Sequence, residues 1–285
     1  MKPFPIPVVP FGPGSQTEEV ELDYMQMPKG MHTYSAPLLP EPEHVASLIA
    51  GRDALHAIQS ELKVAQAGGV PQAIDLTALD EPNLALVNQM LGEGEVSARV
   101  SGENETMIQE SVFAGIWRCV TRQDTEVLSD TVQIGTIPAM LSGAARAGAK
   151  AEGPLQLPAT LPPGVMNAPA IVTELNDHLA KWKPGAAAHV INLTLLPLSP
   201  EDVGFMDELL GVGNVVILSR GYGNCRISST GVPHCWRVVY YNSQDAIILN
   251  TIEIVEIPEV ACAAREDLED SDERLDEVLQ WVEGA

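Results

Sequence analysis

One internal offset constrains this chain more than any other feature. Leu91-Gly92-Glu93-Gly94-Glu95-Val96 stands 119 residues before Leu210-Gly211-Val212-Gly213-Asn214-Val215, and Trp117-Arg118 stands the same distance before Trp236-Arg237. Thr131-Val132-Gln133-Ile134 precedes Thr251-Ile252-Glu253-Ile254 by 120, as Ile137-Pro138 precedes Ile257-Pro258. One spacing, slipped once by one residue, joins every landmark. Further upstream "AIDLTALDEPNLALVNQMLGEGEV" (73–96) matches "VINLTLLPLSPEDVGFMDELLGVGNV" (190–215). Solenoid repeats run about 20–50 residues. A repeat of this length specifies two related lobes instead.

Each unit reads alike. Val45, Leu48, Ile49, Leu55, Ile58 and Leu62 recur at helical spacing over 43–66, with a shorter counterpart over 168–182. A short strand follows (IDLT or INLT), then a second helix. In the second copy Ser199 is a good N-cap, with Pro200 at the first helical position and Asp202 near the positive end of the dipole. Gly92 and Gly211 fall where a left-handed C-cap would end these helices. Then come β-branched and aromatic runs at hairpin distances, and a closing helix. The expected fold class is α+β: two related lobes from an internal duplication, each of helices plus an antiparallel β-meander. Residues 1–42, with nine prolines, read as an extended arm, since proline excludes continuous helix and central strand. The first lobe spans 43–141 and a small-residue, Pro/Gly-rich linker spans 142–166. The second lobe spans 167–285 and ends in an acidic helix.

A formal charge of −23 repels phosphate backbones, so nucleic acid is excluded as the expected ligand. No apolar run approaches the ~18 residues of a membrane span. The proline-rich start lacks a signal-peptide apolar core. A cytoplasmic protein with no membrane contact is expected. Cys119, Cys225, Cys235 and Cys262 stand at irregular spacing and form no secretory disulfide framework. Nine acids and two arginines over 265–285 read as a solvated helix face, or as a surface that steers a basic partner.

The stretch "GYGNCRISSTGVPHCW" (221–236) invites several chemistries. A phosphate loop would need a lysine and a following helix; here strand-like residues follow. A structural zinc site wants four ligands, and adjacent His234-Cys235 side chains point to opposite faces of a strand. With a turn at Thr230-Gly231, Cys225 would lie across from Cys235. Arg226 could favour a Cys225 thiolate, or the thiol could simply pack in the core. No hydrolase motif is present, and His32, His44, His56, His178 and His189 read as surface or capping residues. The expectation is a protein without enzymatic activity, metal or cofactor.

The two copies control each other. Ile108 aligns with Ile227, Ser111 with Thr230, and Trp117 and Arg118 with Trp236 and Arg237. These are scaffold, and the tryptophans are core anchors. Opposite the plain "SGENETM" (101–107) the second copy has "RGYGNCR" (220–226). Arg220, Tyr222, Asn224, Cys225 and Arg226 are therefore the first partner-binding candidates. Asn242, Gln244 and Asp245, in a polar turn at another sheet edge, complete the set.

These residues resemble a known family, the HupH/HyaF/HoxQ hydrogenase expression proteins. The similarity covers nearly the whole chain. It rests on "FPIPVV" and "GPGSQ" near the start, "GEGEVSA" and "ESVFAGIWR" in the first copy, and "GYGNCRISST", "NSQD" and "ILNTIEIVEIPEVA" near the end. The resemblance implies an accessory chaperone for [NiFe]-hydrogenase maturation. It would bind the immature iron–sulfur small subunit before twin-arginine export, beside a thioredoxin-like co-chaperone. The alternative is an iron–sulfur or metal delivery factor, or a thiol-redox partner, acting through Cys225.

Overall fold

The computed structural model describes residues 45–151, 153–221 and 223–283; the arm over 1–42 lies outside the described residues. In the first copy the elements are α1 (Ile49–Gln66), β1 (Ile74–Asp75), α2 (Glu81–Leu91), β2 (Val96–Val100), β3 (Glu105–Glu110), β4 (Ile116–Gln123), β5 (Glu126–Ile134) and α3 (Met140–Gly148). In the second they are α4 (Ala168–Lys181), β6 (His189–Asn192), α5 (Pro200–Leu210), β7 (Val215–Ser219), β8 (Asn224–Ser229), β9 (Cys235–Tyr241), β10 (Ile247–Ile254) and α6 (Arg265–Glu283). The class is α+β. Each copy runs as an antiparallel meander, β2 to β5 and β7 to β10, but the two are not separate lobes. Among the described residues the ten strands form one antiparallel sheet in the order β1-β5-β4-β3-β2-β7-β8-β9-β10-β6.

The copies join where β2 pairs with β7, its own counterpart. Val96 faces Ser219, Ala98 faces Ile217 and Val100 faces Val215. Ala98 and Ile217 occupy the same position in the repeat, so a pseudo-twofold axis runs between them. The join has the self-complementary register of a symmetric dimer interface.

Local chemistry is repeated across that axis. Asp80 and Ser199 cap α2 and α5 by accepting the backbone N–H groups of Asn83 and Asp202, each at 3.0 Å. Gly92 and Gly211 end these helices at φ 57° and 64°. The Ser111 hydroxyl accepts Phe113 N–H at 3.1 Å, and Thr230 does the same for Val232 at 3.1 Å. Trp117 and Trp236 are buried, and their indole N–H groups donate to Gly135 and Glu256 carbonyls at 2.9 and 3.1 Å. Arg118 reaches Asn88 on α2, where Arg237 reaches the equivalent Asp207 on α5.

On one sheet face α1, α2 and α6 cover the first half around Leu55, Ile58, Leu62, Ile116 and Val132. On the same face α4 and α5 cover the second half around Ile171, Leu175, Met206, Ile252 and Ile254. The other face is closed over its centre by α3 and a short 3-10 turn (Glu259–Ala261), against Trp117, Trp236, Val215, Ile217 and Ile227.

Two boundaries differ from the sequence reading. The span 142–166 is not all linker: its first seven residues continue α3, because "SGAARAGA" is rich in alanine, the best helix former. The acidic C-terminal helix follows the second copy in sequence but packs on the first. Leu268, Leu275 and Leu279 enter the first-half core. Ser271 and Arg274 donate to the Ala114 and Val112 carbonyls at 3.0 and 3.3 Å. The exchange is reciprocal. The chain leaving α3 donates Lys150 and Ala151 N–H to the Gly231 carbonyl, at 2.8 and 2.9 Å, and buries Leu155 in the second-half core.

Candidate functional site

The partner-binding candidates gather at one end of the sheet. Asn224 at the start of β8 pairs with Tyr241 at the end of β9, so the β7–β8 and β9–β10 turns are neighbours. Arg220 N–H donates to the Glu95 carbonyl at 3.1 Å, tying the first turn to β2. A Cβ at Gly221 would sit 2.3 Å from a Glu95 carboxylate oxygen, the end of a flexible side chain that can swing aside. Tyr222 lies outside the described residues. In the second turn the Asn242 side-chain oxygen accepts N–H groups from Gln244 and Ala246, both at 2.9 Å. This Asx-type arrangement holds Asp245 at φ 58°. Gln244 and Asp245 are exposed, and Ile247 and Ile248 beside them are 55% and 57% exposed. Arg226 is exposed on the helix-bearing face, between Leu218 of β7 and Val239 of β9. Among the described residues these exposed groups make a strip of arginine, amide, carboxylate and aliphatic side chains with no deep cavity. Two shallow hollows lie elsewhere, one by Gln66 and Arg265 and one by Ile137 and Ile257.

Cys225 is separate from that strip. Its neighbour Arg226 points out, and Cys225 is fully buried on the opposite face, in the cluster with Trp117 and Ile227. Cys235 does not lie across from it. The register pairs Cys225 with Tyr240 and Ser229 with Trp236, and Cys235 is buried in the α4/α5 cluster on the other face. The loop from Thr230 to His234 is longer than a tight turn around Thr230-Gly231, and Cys235 lies five strand positions, about 16 Å along the strand, from Tyr240, the residue opposite Cys225. Burial pushes the Cys225 thiol up to about 12, only partly offset by a hydrogen bond with Tyr240. His234 holds φ 59°, the position that glycine (Gly115, φ 83°) fills in the first copy, and stacks on Trp182 with ring centroids 3.4 Å apart.

A second constellation was read in the sequence only as ordinary surface histidines. Glu174 and His178 stand four apart on one face of α4, and His189 starts the edge strand β6 below them. His189 Nε2 lies 2.8 Å from Glu174 Oε1. The two imidazoles stack with centroids 3.3 Å apart and planes 7° from parallel. The signal available in the sequence was the Glu-x3-His spacing; the fold supplies the third residue.

Comparison with known proteins follows the same division into copies. The sequence model for the family described as "HupH hydrogenase expression protein, C-terminal conserved region" matches twice, at 48–154 and 165–282. The chain is 56% identical over 282 residues to the hydrogenase expression/formation protein HoxQ of Cupriavidus necator, covering 99% of each chain. It is 48% identical over 284 residues to HupH of Rhodobacter capsulatus, covering 98% of each. It is 35% identical over 280 residues to the hydrogenase-1 operon protein HyaF of Escherichia coli, covering 96% of each. A solved structure of the hydrogenase expression protein HupH from Thiobacillus denitrificans matches 39% of this chain and 92% of its own, at 28% identity and a TM-score of 0.37.

Proposed function

The chain belongs to the HupH hydrogenase expression protein family, and from that premise we propose that it is a non-enzymatic chaperone of [NiFe]-hydrogenase maturation. Its client is the immature iron–sulfur small subunit, held in the cytoplasm before twin-arginine export, with a thioredoxin-like co-chaperone as second partner. Among the described residues no helix is long and apolar enough to cross a membrane.

The observation that carries this reading is the contrast between the copies. The scaffold bonds are duplicated across the pseudo-twofold axis, and both halves expose an aliphatic pair at matching positions, Val127-Leu128 and Ile247-Ile248; the second half sets its pair near Asn224 and Arg226, where the first copy has Glu105 and Met107. Arginine beside exposed aliphatic residues, without a cavity, suits protein recognition better than small-molecule chemistry. The second contact is electrostatic. Glu266, Asp267, Glu269, Asp270, Glu273 and Glu277 are exposed along α6 and suit a basic client segment. Delivery of a metal through Cys225 is disfavoured by the burial of its thiol.

The test is retention of small-subunit precursor on immobilised protein. Arg226→Glu combined with Ile248→Asp is expected to lower retention at least about tenfold, in line with loss of two interface anchors. The matching first-copy change, Met107→Glu with Leu128→Asp, is expected to leave it intact. Equal retention by all three proteins would remove the second-half turns from the contact.

A further inference from the structure

We propose that Glu174, His178 and His189 form a binding site for a first-row divalent transition cation of the Zn²⁺ or Co²⁺ type. This inference is independent of the client-binding surface. One ligand atom from each residue lies within 4.8 Å of the other two. Two imidazole nitrogens and one carboxylate oxygen are the donors that such cations take. Mg²⁺ and Ca²⁺ prefer all-oxygen shells, and Cu(I) prefers sulfur.

The framework beneath the three side chains is fixed. α4 is anchored by buried Ile171, Val172 and Leu175, which places Glu174 and His178 one turn apart on the same side. β6 is pinned along its length by β10, with His189 opposite Ile254. The Glu174 carboxylate already orients the His189 ring. The neighbouring Asp177 is engaged with Lys181 at 2.6 Å, so Glu174 is the carboxylate at hand.

Closing on a cation requires a defined movement. Bonds of about 2.0–2.1 Å in tetrahedral geometry set donor atoms about 3.3 Å apart. Parallel ring planes cannot both contain one ion, so one imidazole must turn out of the 3.3 Å stack. Both rings are partly exposed at the edge of the sheet, where such a turn displaces no core side chain. Three protein ligands leave a fourth position for water or for a donor from a partner, as in open rather than structural sites.

The first copy lacks this arrangement. The residue two before the Ile of "IDLT" is Gln72, where the second copy has His189 before "INLT". There a Glu61 oxygen on α1 accepts the Gln72 backbone N–H at 2.7 Å. The histidine pair therefore belongs to the second half alone.

The experiment uses the full-length chain without a histidine tag, stripped of metal and titrated with CoCl₂, with Zn²⁺ as competitor. One saturable equivalent with visible d–d absorption is expected, displaced by Zn²⁺. His178→Ala and His189→Gln, the latter installing the first copy's residue, are each expected to weaken binding at least about tenfold while circular dichroism stays unchanged. His56→Ala breaks a different His–carboxylate pair, with Glu283 at 2.6 Å, and is expected to bind as wild type. No saturable binding, or equal binding by the double variant His178→Ala/His189→Gln, would overturn the proposal.

Discussion

Leu275→Ala separates the observed position of the C-terminal helix from the one its sequence order suggests. Leu275 is fully buried and sits with Leu55, Ile58 and Leu62 of α1, in the core of the first copy. Removing its branched end deletes apolar contacts and leaves a cavity that a packed helix pair closes only in part. Such changes cost about 3–4 kcal/mol at well-packed sites. In a chain of this size each kcal/mol lowers Tm by about 2–4 °C, so a drop of roughly 6–16 °C is expected in a thermal melt. Location is the sharper readout. α6 also holds the 111–116 loop through Ser271 and Arg274, and it meets α1 through Gln59 Nε2, which donates to Asp276 at 2.7 Å. Amide hydrogen exchange is therefore expected to rise first in α1 and in residues 111–116. Faster exchange confined to α4 and α5, with α1 unchanged, would refute the crossed packing.

Three further outcomes are expected. Burial pushes the Glu110 carboxyl up to about 7, helped by the charges of Glu95 and Asp267 and only partly offset by Gly115 and Val96 N–H groups. Its folded value is raised, so its contribution is full below the ordinary 4.5 and is lost as pH rises through about 7; Glu110→Gln should flatten that loss, worth about 3 kcal/mol, in denaturant melts at pH 5 and 8. Cys225 should resist iodoacetamide in the native protein at pH 8 and react only with unfolding, as read by mass spectrometry; rapid native labelling would contradict its burial. Gly115→Ala combines a positive φ with a Cβ 2.8 Å from Leu268 Cδ1, and should destabilise by about 2 kcal/mol or more, whereas His234→Ala, at the matching position, should cost less because His234 already carries a Cβ at φ 59°.

The repeat, the α+β class, both caps of α5 and the buried tryptophans were legible in the sequence because each is carried by local patterns: an offset, a period or a Ser-Pro-x-Asp start. The pairing of β2 with β7 was not. It joins strands 119 residues apart, and nothing in "VSARV" or "VVILS" names the partner strand. The register of β8 on β9 failed for a similar reason. A short turn centred near Thr230 would have brought the two cysteines together, but the hydroxyl of Thr230 bridges a longer loop by donating to the Cys235 carbonyl at 2.9 Å, and the register sets Cys225 opposite Tyr240 instead. Of the candidate site, the exposed turns followed from comparing the copies. Glu174, His178 and His189 escaped because their nearness depends on how α4 crosses the edge strand, a tertiary fact that no spacing encodes.

The self-complementary join between β2 and β7 also sets a count. Were the two halves separate identical chains, the same join would give a dimer with two equal recognition ends facing opposite ways, and it would take up two clients. With both halves on one polypeptide, substitutions such as Met107 against Arg226 accumulate on one side only. Under the proposed reading the symmetry survives in the scaffold and is broken in valence, so one chain would offer one docking end.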